Sequence, residues 1–316
     1  MERRQRILDL VEPHGRSGIE IGPLTRPVIL PSDGEILYAD HLTTEGLRAK
    51  YASDPNLGPG GLEGLAAIDL VLDGRPMGEV LGARGPVDYI VASHVMEHVA
   101  DPIGWLLGCA DALKDDGRLL LAVPDRRFTF DRLRAASTTG DLVALHLAKP
   151  RRPTPAQVFE HIARAVHFGP GELDVAWEGG AIPLRFIHDD RLRAALGQAR
   201  LVHASETYLD IHCTTYTPIT FLDVFREIVA LGLLPFEIAA LVPTRAYEAE
   251  FFALLRKRAD ATPAARADAT PTLDRGIGGE APPMPFLSRE RWRRRALRAL
   301  RAWRRNGLDG LRSGHR

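Results

Sequence analysis

Cysteine is nearly missing from this chain: Cys109 and Cys213 are the only two in 316 residues, they stand far apart, and neither belongs to a metal-spacing pair. A disulfide framework and a cysteine-based zinc site are therefore excluded as organising principles, and a reducing compartment is expected. Long apolar runs are missing too. No stretch approaches the ~20 residues that a membrane span requires, and the opening MERRQRILDLVEPHG is charged, without the apolar centre of an export signal. The expectation is a cytoplasmic protein. Neither a Walker-type G-x-x-x-x-G-K-[ST] nor a G-x-G-x-x-G occurs at the first strand, so the chain is not built to cradle a polyphosphate. Lysine is scarce, 4 against 37 arginines, most simply a mark of a GC-rich coding sequence. No internal repeat is present.

What is there is a regular rhythm. Apolar residues make up 45% of the chain, enough for a substantial core. GIEIG, EILYAD, AAIDLVLDG, VDYIVASH and GRLLLAVPD read as strands, separated by TTEGLRAKYA and DPIGWLLGCADALKDDG with apolar residues at helical spacing. Near-continuously apolar strands alternating with helices predict a doubly wound, mostly parallel α/β sheet. Asp101 is placed to cap a helix that starts with Pro102 and ends near Lys114 to Gly117. From residue 126 to 186 the strand rhythm stops, and helical pieces such as PAQVFEHIARAVHFG alternate with Pro and Gly, which predicts a helical insertion or lid after strand five. The sheet pattern resumes with DDRLRAALGQA and the amphipathic PITFLDVFREIVALGLL. FEIAALVPT and AYEAEFFALLRKR follow as an antiparallel C-terminal hairpin, bringing the sheet to seven strands.

The predicted organisation is a main domain over residues 1–258, a disordered linker rich in Ala, Pro, Asp and Thr over 259–288, and a basic amphipathic segment over 289–316. That last segment holds 11 arginines against Glu290 and Asp309, so it carries +9 and the remaining 288 residues carry −9, giving the net charge of zero. Trp292, Leu297, Leu300 and Trp303 interrupt its arginines. A single aromatic-apolar stripe favours peripheral contact with a membrane surface or a protein partner over reading of nucleic-acid bases.

Small or acidic residues recur at successive strand ends. Glu20 lies within the first strand, which Gly22 and Pro23 follow; Asp40 ends the second strand; Asp73 and Gly74 end the third; Ser93 ends the fourth. Each is weak alone, and Glu20 reads equally as an acid in a routine turn. Together they mark one crevice, because ligands of open α/β sheets bind outside the carboxyl ends of the strands. Asp40 stands where a carboxylate meets the two hydroxyls of a bound ribose.

VDYIVASHVMEHVADP, with Asp88, His94, Glu97 and His98, resembles the fourth-strand region of class I S-adenosylmethionine-dependent methyltransferases. WLLGCADALKDDGRLLLAVPD resembles the next helix and strand of that superfamily, and HCTTYTPITFLDVFREIVALGLLPFEI its closing segment. The resemblance covers roughly residues 18–123 and 188–257. The first loop departs from the usual E-x-G-x-G-x-G: it reads Glu20-Ile21-Gly22-Pro23-Leu24-Thr25-Arg26 and is similar to a bacterial subgroup associated with glycan-modifying systems. The resemblance implies S-adenosylmethionine as cofactor, with Glu20 and Gly22 near its methionine part, Asp40 at the ribose, Asp73 with Gly74 at the adenine end, and Ser93 and His94 beneath. It also implies methyl transfer to a small-molecule or glycan acceptor, the family association favouring a sugar hydroxyl. His94, His98, His188 and His212 are the candidates for an acceptor-side base.

Two other readings compete. His94-Val95-Met96-Glu97-His98 matches the H-x-x-E-H of inverted zinc proteases. That motif needs both histidines within one helix, whereas here His94 directly follows an apolar strand and the helix begins only at Pro102, so no metal ligands are assigned. The glycine-poor first loop would also suit a methyltransferase fold kept as a binding or scaffold module.

Overall fold

In the computed structural model, residues 2–53, 57 and 61–271 are described. Seven strands form one sheet: β1 (Ser17–Ile21), β2 (Glu35–Asp40), β3 (Leu70–Val71), β4 (Val87–Ser93), β5 (Leu113–Pro124), β6 (Phe236–Val242) and β7 (Glu250–Lys257). Their spatial order is β3-β2-β1-β4-β5-β7-β6. The first five pair in parallel, and β7 is inserted antiparallel between β5 and β6. The direction of winding reverses between β1 and β4, and a crevice opens at the carboxyl ends on either side of such a switch point. This is the doubly wound sheet with a closing hairpin expected from the sequence.

The helices, in chain order, are α1 (Arg3–Val11), α2 (Thr44–Lys50), α3 (Met77–Leu81), α4 (Pro102–Ala112), α5 (Thr139–Ala148), α6 (Pro155–Arg164), α7 (Pro170–Trp177), α8 (Arg191–Ala204), α9 (Pro218–Ala230) and α10 (Pro263–Asp268). Successive strand residues point to opposite faces, and both faces are covered. Ile90, Leu119 and Leu121 join Leu106, Phe221 and Phe225 in one cluster, while Tyr89, Val91 and Leu120 join Ile7, Val11 and Phe252 in the other. Gly18 allows the close approach of β1 to β4: a Cβ there would lie 2.1 Å from the Tyr89 ring. At α4 the expected start holds, since the Asp101 side chain accepts from Gly104 N at 3.0 Å with Pro102 in the first turn.

Four boundaries differ from the sequence reading, the first being the end of α4, which stops at Ala112 because β5 already begins at Leu113 instead of after Gly117. Secondly, the third strand shrinks to two residues because β3 is an edge, bonded only to the end of β2 at Ala39 and Asp40. Thirdly, α8 does not return to the sheet at residue 188. It packs on α6, where Val158, Ile162, Ala195, Val202, Ile211 and Cys213 close a small separate core, so the helical insertion runs on past 186. Fourthly, the expected linker begins with ordered structure. Thr262 caps α10 by accepting from Ala265 N, Pro263 opens it, Ala267 enters the main core, and Arg266 Nη1 donates to the Arg258 carbonyl at 3.0 Å. A Thr-Pro start followed by alanines is a helix signal that a composition average hides. The rest of the linker and the basic segment over 289–316 lie outside the described residues.

Candidate active site

The ends of β1, β2, β3 and β4, the first turns of α4 and a wall from the insertion enclose a crevice of about 850 Å³. Its floor begins at Gly22, with φ of +68°, a left-handed conformation natural to glycine. A Cβ there would meet Val95 Cγ2 at 3.0 Å, so the backbone itself forms the surface. Asp40, at the end of β2, is buried and lines the crevice; its Oδ1 accepts from His41 N at 2.7 Å and lies 2.5 Å from His41 Nδ1. Among the described residues Oδ2 of Asp40 has no hydrogen bond. Leu72, Gly74, Pro76 and Met77 make an apolar slot beyond it.

A second part of the lining draws on residues far along the chain and adjoins the Asp40 side, since Lys50 Nζ lies 3.4 Å from His41 Nε2. Tyr208 and Asp210 line the crevice together with Lys50, Tyr51 and the Pro150 to Pro153 turn. Asp210 Oδ1 lies 2.8 Å from His98 Nδ1, and its Oδ2 accepts from Lys50 Nζ at 3.2 Å. The carboxyl of Asp210 is held well below the usual range, chiefly by His98. Lys50 Nζ also sits 5.2 Å from the Tyr51 ring centroid and 6.0 Å from that of Tyr208. No spacing in the sequence signals this wall, because residues 50, 98 and 210 meet only when the insertion folds back.

The sequence-derived residues separate into three groups. Gly22, Asp40, Gly74, His94 and His98 all line the crevice. Glu20 and Asp73 do not, and each is otherwise engaged. Glu20 is buried and turned into the first loop, where its carboxylate accepts from Val28 N at 2.8 Å and Ile29 N at 2.9 Å; burial pushes it up to about 7 against the pull of those amides. It thus fixes the loop that the usual glycines would shape. Asp73 is exposed and grips Arg75 Nε at 3.0 Å. Ser93, at the end of β4, accepts from Arg3 Nη2 at 2.7 Å beneath the crevice rim. His188 is exposed and apart from the crevice, and His212 is buried behind His98, their ring centroids 4.8 Å apart.

His94 leaves β4 with φ of +55°, a strained conformation for a side-chain-bearing residue. Its Nε2 lies 2.8 Å from Glu250 Oε2, and Arg3 grips the same carboxylate at 2.5 and 2.9 Å. Burial alone would raise Glu250, but the hydrogen bonds from His94 and Arg3 hold it down at about 2. A depressed carboxyl stabilises the fold above its ordinary value of 4.5, and that stability is lost as pH falls towards 2. The melting temperature of the wild type should therefore drop more steeply below pH 4.5 than that of Glu250→Gln. Parallel melting curves across an acid pH series would refute the assignment.

Over residues 3–171, the chain matches the family model described as a methyltransferase domain. The chain belongs to that methyltransferase family. It is a member of the class I S-adenosylmethionine-dependent superfamily, whose cofactor is S-adenosylmethionine. No curated protein sequence matches it significantly. Solved structures similar to this methyltransferase include a protein from Rhodobacter sphaeroides provisionally described as a Zn-dependent alcohol dehydrogenase, at 13% identity over 81% of this chain and 88% of that one, with TM-score 0.42. The CcbJ methyltransferase from Streptomyces caelestis matches at 12% identity over 80% and 93% of the two chains, TM-score 0.35. An S-adenosylmethionine-dependent methyltransferase from Mesorhizobium loti matches at 14% identity over 80% and 95%, TM-score 0.37.

The residues of this methyltransferase fit the cofactor of its superfamily. Bare backbone at Gly22, an uncommitted carboxylate oxygen at Asp40 and an apolar slot at Leu72 to Met77 lie in one line along the carboxyl edge. Among the described residues, no helix is long and apolar enough to cross a membrane.

Proposed function

We propose that the chain transfers the methyl group of S-adenosylmethionine to a polar acceptor, with a sugar or glycan hydroxyl as the favoured class. The observation that carries this reading is the meeting of two unlike linings in one crevice, joined where Lys50 reaches His41. The β1 to β3 side offers backbone, one carboxylate and apolar surface, as a nucleoside requires. Adjoining it, through Lys50 Nζ at 3.4 Å from His41 Nε2, the group Lys50, Tyr51, His98, Tyr208 and Asp210 combines ring faces with fixed charges, a mixture suited to a polyhydroxylated molecule.

When bound, S-adenosylmethionine supplies an activated methyl on a sulfonium centre. The chain's own task is alignment and exclusion of water. Gly22 and Asp40 hold the nucleoside end, and the Pro150 to Pro153 turn adds to the lining. His98, paired with Asp210, lines the acceptor side.

The test is incubation with methyl-labelled S-adenosylmethionine and acceptors grouped by nucleophile. Label is expected on hydroxyl acceptors; label confined to amines or thiols would overturn the acceptor class. Absence of cofactor binding by calorimetry would overturn the enzyme reading and leave the scaffold one. Asp210→Ala should lower kcat/KM for the acceptor by about tenfold or more, as expected when one charged hydrogen bond is lost, with cofactor affinity unchanged. An equal loss in both would mean that the chain Asp40–His41–Lys50–Asp210 couples the two linings into one subsite.

A further inference from the structure

Behind the acceptor side, the turn after β4 and the extended segment between α8 and α9 are stapled together. Cys213 N donates to the Glu97 carbonyl at 2.5 Å, and Cys213 Sγ lies 3.4 Å from the His98 carbonyl. This brings Glu97, His98 and His212 to a point where one ligand atom of each lies within 4.8 Å of the others. Glu97 is 1% exposed, both of its carboxylate oxygens are buried without a hydrogen-bond partner, and His94 Nδ1 stands 3.5 Å from Oε1. A buried carboxylate with no hydrogen bond to either oxygen is costly, and one imidazole at ion-pair distance offsets that only in part.

Each imidazole is also held from behind. His212 Nδ1 lies 2.5 Å from Asp131 Oδ2, and Asp131 is itself fixed by Arg134 at 2.8 Å. His98 Nδ1 lies 2.8 Å from Asp210 Oδ1. Nδ1 of His212 is taken by Asp131, and Nδ1 of His98 stands within ion-pair distance of Asp210 without the geometry of a hydrogen bond, so Nε2 is the atom on each ring that faces away from these carboxylates. Carboxylate-backed histidines of this kind are the usual outer shell of a metal centre, since the carboxylate sets the ring orientation and raises its basicity. Two imidazoles and one carboxylate form a donor set for a divalent first-row transition ion with open positions.

We infer that Glu97, His98 and His212 bind one such divalent ion beneath the acceptor side of the crevice. The set differs from the H-x-x-E-H reading. His94 holds Glu250 through Nε2 and turns Nδ1 towards Glu97 as a neighbour of the site, Glu97 becomes a ligand, and the third ligand comes from 114 residues beyond His98. Asp131 and Asp210 are positioning residues for the two imidazoles.

The full-length, tag-free protein is stripped with a chelator, then dialysed against Zn²⁺ or Co²⁺ and its metal content measured. One equivalent is expected for the wild type, with a visible Co²⁺ spectrum unlike that of the aqueous ion. Loss of stoichiometric binding is expected for Glu97→Gln and His212→Gln. Asp131→Asn should weaken affinity by about 10- to 100-fold, and His94→Gln should retain the ion. Circular dichroism of each variant separates loss of a ligand from loss of fold, and the Co²⁺ spectrum of the wild type decides independently of any substitution. Failure of the wild type to take up either ion at saturation overturns the inference, as does wild-type stoichiometry in folded Glu97→Gln. Loss of the ion in His94→Gln with retention in His212→Gln would overturn it equally, by moving the site to the other histidine.

Discussion

Trp177→Ala is expected to destabilise the protein by about 4 kcal/mol, the range of large aromatic truncations in a closed core. Trp177 ends α7 and is 1% exposed. Its ring stacks on Phe128 at 4.2 Å between centroids and 10° between planes. Its indole N–H donates to the Glu248 carbonyl at 3.0 Å. One side chain thus ties the insertion to the segment after β5 and to the loop before β7. Truncation leaves a cavity, a buried carbonyl without its donor and an unstacked Phe128. Trp177→Phe keeps the stack and loses the hydrogen bond, so its loss should be nearer 1 kcal/mol. Denaturant unfolding followed by far-ultraviolet circular dichroism measures both. A loss below about 1 kcal/mol for the alanine variant would show that the insertion unfolds separately from the sheet.

Asp40→Ala should weaken S-adenosylmethionine binding by roughly 100-fold, corresponding to about 3 kcal/mol for two hydrogen bonds to a charged acceptor. The magnitude follows from the buried position of the carboxylate, where water cannot replace it. Asp40→Asn should fall between wild type and alanine, since one carbonyl oxygen remains. Calorimetry with S-adenosylmethionine and S-adenosylhomocysteine checks the pair. Unchanged affinity in Asp40→Ala would place the nucleoside elsewhere on the sheet edge.

The sheet was legible in the sequence because its signals are local. Apolar runs such as VDYIVAS, the Asp101-Pro102 helix start and the paired apolar segments near the end each report their own element. The crevice was half legible for the same reason: Gly22, Asp40 and Gly74 sit at strand ends that periodicity locates. Side-chain commitments were not legible. Glu20 and Asp73 occupy suitable positions in the chain, yet a nearby pair of amides claims the first and Arg75 the second. Contacts between distant segments were the least accessible. His98 with Asp210, His212 with Asp131 and His94 with Glu250 span 112, 81 and 156 residues, and no window of sequence contains both partners. The extent of the insertion was hidden by α8, whose exposed Leu192, Leu196 and Leu201 obscure the narrow stripe that packs on α6.

The antiparallel seating of β7 against β5 also sets a timetable for synthesis. β5 ends at Pro124 and its outer partner begins at Glu250, so about 125 residues must be translated before that edge can be paired. At ~5–20 residues per second, a nascent chain carries the edge of β5 open for roughly 6–25 s. Leu119, Leu120 and Leu121 lie on that waiting strand, beside the unpaired amides that invite pairing with another chain. The helical insertion, which forms its own small core from local contacts, is the material made during that interval. It can fold while the sheet waits, and so stand beside an edge that would otherwise be exposed on the ribosome.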